Sequence, residues 1–216
     1  MAIQINITKK ENNAIFYNKE GHKETFLNYL CNINVANMGN DKKPLLGMTL
    51  AEIKSSVTEI GMPAFTAKQI ADWIYCKRVQ SISEMTNISL KNREILEQHF
   101  VTGFSEPVEA MRSIDGTTKY LYKVTNGHFV EAVYIPDGER ATLCVSSQVG
   151  CKMNCLFCMT GKQRYTANLT TNEIVNQIFA LPEFEKLTNI VFMGMGEPCD
   201  NLDNLLSGIE ILTADY

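Results

Sequence analysis

Histidine is scarce in this chain, three in 216 residues, so any metal chemistry falls mainly on its seven cysteines. Long hydrophobic runs are absent, none approaching the roughly 18 residues that a membrane-spanning helix needs. The opening MAIQINITKKENN also lacks the basic-then-apolar order of a signal peptide. These absences exclude a membrane partner and lead us to expect a cytoplasmic protein. A surplus of positive charge is missing as well: the net charge is −4, which argues against a nucleic-acid surface spread over the whole chain. With an odd cysteine count in a reducing compartment, clustered thiols point to metal binding or catalysis rather than to a closed disulfide set. One absence is local. From Arg140 to Asn172 there is no Asp or Glu, while Arg140, Lys152, Lys162 and Arg164 are basic, a positive stretch suited to an anionic substrate.

What is present is an ordinary globular composition, 45% hydrophobic, enough for one large domain or two small ones. Residues 1–43 are rich in Asn and Lys, with Phe26, Leu27, Tyr29 and Leu30 as one apolar knot, and read as an extension with the composition of a disordered segment. Residues 44–104 read as a small helical domain. Thr49 and Glu52 form a capping box ahead of a helix whose Leu50, Ile53, Val57 and Ile60 share a face, and Gly61 ends it. Thr66 and Gln69 are expected to cap a second helix running to about Val79, with Ile70, Trp73 and Ile74 as its stripe. Ser89 caps a third, to about Phe100.

The period then changes from helical to alternating. Asp115-Gly116, Asn126-Gly127 and Asp137-Gly138 bracket strands at about 117–124, 128–135 and 141–147, so 105–140 reads as a β-meander linker. Thr170 and Glu173 cap a helix through Phe179, followed by an apolar strand, 188–194, and a helix over 202–212. Strand, helix, strand, helix from 141 to 216 is a βαβα unit, the mark of a parallel α/β sheet. Two parallel strands make an incomplete sheet, and its open edge is expected to drive self-association.

The stretch 144-CVSSQVGCKMNCLFCM-159 holds four cysteines within fifteen residues. Cys151, Cys155 and Cys158 have the spacing C-x3-C-x2-C, which lets thiolates converge on one inorganic centre. A structural zinc would want a fourth ligand, for which Cys144 or Cys199 is available. A [4Fe–4S] cluster held by only three cysteines keeps one iron open for an external ligand. A second motif, 194-GMGEP-198, follows the strand at 188–194, at the end where parallel α/β sheets bind ligands. Its glycines permit close backbone approach, and Glu197 is suited to pair with a ligand ammonium.

Together, the cysteine loop after one strand, Phe157 before its last cysteine and G-E-P after the next strand resemble the radical S-adenosylmethionine (SAM) superfamily. The flanks 129-FVEAVYIPDGERATLC-144, 141-ATLCVSSQVGCKMNCLFCMTG-161 and 191-VFMGMGEP-198 narrow the resemblance to the adenine-C2 methyltransferases of 23S rRNA and tRNA. The stretches 61-GMPAFTAKQIADWIY-75 and 85-MTNIS-89 resemble that family's N-terminal accessory domain, so the likeness runs from about Pro44 to Tyr216. The implied fold is α/β: an incomplete radical SAM (β/α) barrel of about two βα units over 141–216, preceded by the meander and by the helical, RNA-binding accessory domain.

The resemblance also implies roles. Cys151, Cys155 and Cys158 would hold the [4Fe–4S] cluster, whose open iron chelates SAM, with Gly196 and Glu197 as the first SAM contacts. Cleavage of SAM, using an external electron donor, yields a radical that draws hydrogen from a methylated cysteine of the enzyme. The carbon radical adds to C2 of adenine, which is too electron-poor for a methyl cation donor. Glu131 would then accept the C2 proton and Cys144 would release the carrier as a disulfide. Alternation puts Cys144 on a strand face with Thr142 and Ser146, favouring an accessible thiol. Glu131 shares a face with Phe129, Val133 and Ile135, apolar company that favours a base.

The family's methyl-carrying cysteine, its later SAM contacts and its remaining barrel strands have no counterpart here. The chain is therefore expected to be a fragment that does not methylate RNA alone. Cys199 directly follows G-E-P and is not the carrier; Cys31 and Cys76 read as packing or incidental thiols. Two other readings remain: an adenine-C8 methyltransferase of the same superfamily, and a non-catalytic zinc-bound RNA-binding module. No obligate protein partner is inferred.

Overall fold

The computed structural model describes residues 42–216. The extension expected at 1–43, with Cys31, lies outside the described residues but for its last two. In chain order the elements are β1 (Lys43–Pro44), α1 (Leu50–Glu59), α2 (Thr66–Ala71), α3 (Leu90–His99), β2 (Phe100–Val101), β3 (Glu109–Arg112), β4 (Thr118–Lys123) and β5 (Phe129–Asp137). They continue with β6 (Arg140–Cys144), β7 (Gln148–Val149), α4 (Met159–Lys162), β8 (Ala167–Asn168), α5 (Thr171–Phe179), β9 (Asn189–Val191) and α6 (Leu202–Thr213). These residues divide into two compact units, one made of 106–168 with 182–200, the other of 42–105 with 169–181 and 201–216.

The second unit is helical, and its helices start where the sequence places them, with one exception. Thr49 caps α1 and Thr170 caps α5, each in a reciprocal capping box with Glu52 or Glu173. Ser89 accepts from the Asn92 N–H at the start of α3. The box expected from Thr66 and Gln69 does not form. The chain enters α2 through a turn in which Thr66 N–H donates to Pro63 O at 3.0 Å, so Phe65 is the cap position and Thr66 is already helical and buried. After Ala71 the helix continues as one π-helical turn, Asp72–Cys76, which aims Tyr75 inward. The Tyr75 hydroxyl donates to Met48 O at 2.5 Å and accepts from Gly47 N–H at 3.1 Å; burial pushes its pKa far above the usual tyrosine value. Phe100, expected as a helix end, instead opens β2, which pairs in parallel with β1. In the same unit α6 lies on α5, where a Cβ on Gly208 would stand 3.4 Å from Val175 and 3.8 Å from Ile174.

The first unit is built on a five-stranded sheet of order β3-β4-β5-β6-β9. Its first four strands are antiparallel neighbours, and β6 pairs with β9 in parallel, Cys144 opposite Val191. The turns are those the sequence announces. Asp115 accepts from Thr117 N–H at 3.0 Å, and Asn126, Gly127 and Gly138 take the positive φ that tight turns need. Thus the meander expected as a linker is continuous, strand by strand, with the βαβ strands β6 and β9. Val130, Ala132 and Tyr134 on β5 and Leu143 and Val145 at β6 are buried, while Glu131, Val133 and Cys144 are partly exposed. The strand expected over 188–194 is cut to Asn189–Val191, because Gly194 N–H turns to donate to Val145 O at 3.1 Å.

Candidate functional site

All the residues singled out for chemistry lie in the first unit: on β5, at the ends of β6 and β9, and on the loop between β7 and α4. Val133 pairs with Cys144 across the β5–β6 ladder, and Glu131 lies two positions back on the same face of β5. Ser146 bridges this face to the turn after β9. Its hydroxyl donates to Glu131 O at 2.6 Å and accepts from Met195 N–H at 2.8 Å. The β5 backbone, the end of β6 and the G-x-G-E-P turn are therefore tied by one buried serine.

Neither side chain has quite the surroundings its alternation suggested. The Glu131 carboxylate is not left among Phe129, Val133 and Ile135 but forms an ion pair with Lys119 on β4 at 2.9 Å. Cys144 is half-buried, and burial pushes its thiol pKa up, with a smaller opposing effect from the Met193 backbone. It is thus a protonated thiol at neutral pH, less accessible than its strand face implied.

The turn after β9 is drawn tightly onto the start of β7. Ser147 N–H donates to Met195 O at 2.8 Å and Gln148 N–H reaches the same oxygen at 3.2 Å. Gly196 has φ +99°, and a Cβ there would lie 2.5 Å from Gln148 Cβ. Only glycine satisfies both the left-handed backbone and that approach. The Glu197 backbone N–H donates to Gln148 Oε1 at 2.9 Å, and its carboxylate accepts from Cys199 N–H at 3.1 Å.

Sequence reasoning did not find Gln148 as a site residue. It is fully buried, and its amide is used at both ends: Oε1 toward Glu197 N–H, Nε2 toward Asn168 Oδ1 at 2.8 Å and Asp200 Oδ2 at 3.1 Å. Asp200 also pairs with Lys152 at 2.8 Å, and Lys152 sits 4.2 Å above the Tyr165 ring. Hydrogen bonds from Lys152 first and Gln148 second hold the Asp200 carboxyl below its usual pKa. So Lys152, from the acid-free stretch, is matched by an acid from outside it, while Lys162 and Arg164 are exposed.

Cys151, Cys155 and Cys158 are partly exposed free thiols on the loop between β7 and α4. Cys158 N–H donates to Cys155 O at 3.1 Å, and a Cβ on Gly161 would stand 2.9 Å from Cys155 N, so the loop backbone is closely fixed at its C-terminal end. Among the described residues no three His, Cys, Asp or Glu side chains are gathered closely enough to hold a metal ion. What fits such a group is the donor chemistry: three partly exposed thiols on one short, backbone-fixed loop beside a glycine turn.

Comparison with known proteins gives this geometry its relatives. Residues 145–215 match the family described as the radical SAM superfamily. Residues 43–102 match the family described as the ribosomal RNA large subunit methyltransferase N-terminal domain. A probable dual-specificity RNA methyltransferase RlmN of Bacteroides fragilis (strain YCH46) is 67% identical over 175 residues, covering 81% of this chain and 51% of that protein. The dual-specificity RNA methyltransferase RlmN of Geotalea uraniireducens (strain Rf4) is 46% identical, covering 80% and 50%. The chain spans about half the length of the curated relatives it matches. Among solved structures, that of a radical SAM methyltransferase from Sphaerobacter thermophilus matches with a TM-score of 0.72 and 34% identity, over 80% of this chain and 52% of that one. The radical SAM superfamily that residues 145–215 match is one whose chemistry implies a [4Fe–4S] cluster and SAM.

Proposed function

We propose that the chain forms part of a radical SAM methyltransferase that places a methyl group on C2 of adenine in 23S rRNA and tRNA through a methyl-cysteine intermediate. Its sheet and two βα units would be the opening part of a (β/α) barrel, and residues 44–104 the RNA-binding accessory domain. The observation that carries the reading is the glycine turn at the C-terminal end of β9, bonded backbone to backbone to the strand that leads into the cysteine loop.

In this reading Cys151, Cys155 and Cys158 would hold the [4Fe–4S] cluster, which when bound would supply the electron for cleavage of SAM. Gly196 opens the turn so that the backbone approaches the ligand, and Glu197 receives the SAM ammonium, a charge-assisted contact. Glu131 takes the proton from C2 as the adduct resolves, with Lys119 holding its carboxylate on the exposed face of β5. Once the adduct has given up its unpaired electron, Cys144, on the same face, would lose its proton to a base and attack the carrier sulfur; the S–S bond forms as the carrier S–CH2 bond breaks, and the carbon leaves with that electron pair and takes up a proton, becoming the methyl group of the freed RNA. Raised by burial, this thiol stays protonated until a base is at hand, which protects it from premature oxidation.

Deleting the gene and analysing nucleosides of 23S rRNA and tRNA by mass spectrometry tests the reading. Loss of 2-methyladenosine is expected. Unchanged 2-methyladenosine, or loss of 8-methyladenosine instead, overturns it.

A further inference from the structure

We propose that Gln148 is a positioning residue for Glu197, and that Asp200 and Lys152 set the orientation of its amide. The proposal rests on the reading above, in which Glu197 meets SAM, and adds to it a group that does not touch the ligand.

A buried carboxamide has one acceptor and two donor hydrogens, and its two ends look alike in shape. Around Gln148 they are told apart by partners of fixed polarity. Glu197 N–H is only a donor, so the end facing it at 2.9 Å is the oxygen. Asp200 Oδ2 is only an acceptor, so the end facing it at 3.1 Å is the nitrogen. The second hydrogen goes to Asn168 Oδ1 at 2.8 Å, whose own Nδ2 donates to Asp200 O at 3.1 Å. The Asp200 carbonyl only accepts, which fixes the Asn168 end facing it as the nitrogen and the other as the oxygen; the Tyr165 hydroxyl donates to that oxygen at 3.1 Å. Every polar atom of the Gln148 amide is thus satisfied in one orientation and opposed in the flipped one.

The consequence reaches the site through the backbone. Gln148 holds the turn at two heights, Met195 O by its own N–H and Glu197 N–H by its side chain, while its Cβ and Cγ fill the space that Gly196 leaves. The Glu197 Cα is fixed between these bonds, and with it the point from which the carboxylate reaches out. Lys152 is the residue next to Cys151, so its ion pair with Asp200 joins the cysteine loop to the same network. That pair is half-exposed and weak by itself. Its place in the design is to keep Asp200 ionised and aimed at Gln148 Nε2, so that the buried amide, which is strong because it is dry, does the holding.

The test compares four proteins reconstituted anaerobically with iron and sulfide: wild type, Q148E, Q148E with D200N, and K152A. Iron content, the urea midpoint and SAM affinity by equilibrium dialysis are measured for each. Q148E keeps the acceptor toward Glu197 N–H but turns acceptors onto Asp200 and Asn168. The expected result is wild-type iron content with SAM affinity lowered about ten- to a hundredfold, the usual size for an outer-shell partner. Adding D200N supplies a donor opposite the new carboxylate and should restore most of that affinity; a role in folding alone predicts no such recovery of affinity at constant iron. K152A, an exposed change, should weaken SAM binding by roughly two- to fivefold, and it carries the test if Q148E fails to fold. Equal SAM affinity in Q148E and wild type, loss without recovery in the double variant, or an unfolded Q148E together with an unaffected K152A overturns the inference. Wild type that takes up iron but binds no SAM overturns the reading of the turn itself, and the inference falls with it.

Discussion

Lys119 Nζ lies 2.9 Å from Glu131 Oε1, diagonally across β4 and β5, with both side chains partly shielded from solvent. The pair accounts for a carboxylate standing on a strand face otherwise made of Phe129, Val133 and Ile135. Partly exposed ion pairs contribute roughly 0.2–1 kcal/mol, so E131Q should lower the unfolding free energy by about 1 kcal/mol or less in urea titration. In cells where E131Q replaces the deleted gene, 2-methyladenosine should form at least about a hundredfold more slowly, the lower end of what a general base contributes. A stable, inactive E131Q fits a proton acceptor; full activity removes Glu131 from that role.

Cys144 makes a second prediction, from the sign of its pKa shift. Burial favours the neutral thiol, so the folded pKa lies above the unfolded one. Stability from the protonated thiol is present below the unfolded pKa and is lost as pH rises toward the folded one. Alkylating agents react with thiolate. At pH 7.5 iodoacetamide should therefore modify Cys144 more slowly than an unstructured peptide cysteine, with the difference vanishing in denaturant. Mass spectrometry of the peptide containing Cys144 checks it; equal rates in the folded chain would contradict the burial.

Much of this was legible in the sequence, and what was not has a common cause. The α1 and α5 starts, the DG and NG turns and the C-x3-C-x2-C loop are local signals, complete within a few residues. Strand β3, Glu109–Arg112, carries EAMR, with no apolar alternation, and exists because β4 pairs with it. The two-residue strands β1 and β2 likewise depend on a partner more than fifty positions away. At the site the same division holds. The cysteines and G-E-P were readable from spacing, whereas Gln148 reads as one polar residue in SSQ until the fold brings Asp200 to it across 52 positions. Glu131 was placed on the right face, yet its Lys119 partner depends on the β4–β5 register.

The misread cap at α2 gives a stability contrast. Glu52 accepts from Thr49 N–H at 2.7 Å in a true capping box, so E52A should cost about 0.5–1 kcal/mol. Gln69 occupies the same position in the sequence pattern without a capping bond at α2, so Q69A should change stability by less than about 0.5 kcal/mol. Urea midpoints of the two single variants decide between them, and an equal loss in both would restore the box at Thr66.

Gly196 and Gly127 separate backbone strain from close approach. Both have positive φ, +99° and +75°, but a Cβ on Gly127 meets nothing within 4 Å, while one on Gly196 would lie 2.5 Å from Gln148 Cβ and 2.8 Å from its backbone nitrogen. G127A should therefore cost only the left-handed conformation, about 1 kcal/mol. G196A adds an overlap with backbone that has no room to move, because Gln148 N–H and Ser147 N–H are both committed to Met195 O. Its loss should exceed that of G127A by about 1–3 kcal/mol. The turn must shift away from β7 to relieve the overlap, which moves Glu197 off the Gln148 oxygen. SAM affinity of the iron-loaded chain should then fall in G196A and stay at the wild-type value in G127A. Equal affinities would mean that the glycine serves the fold and not the ligand.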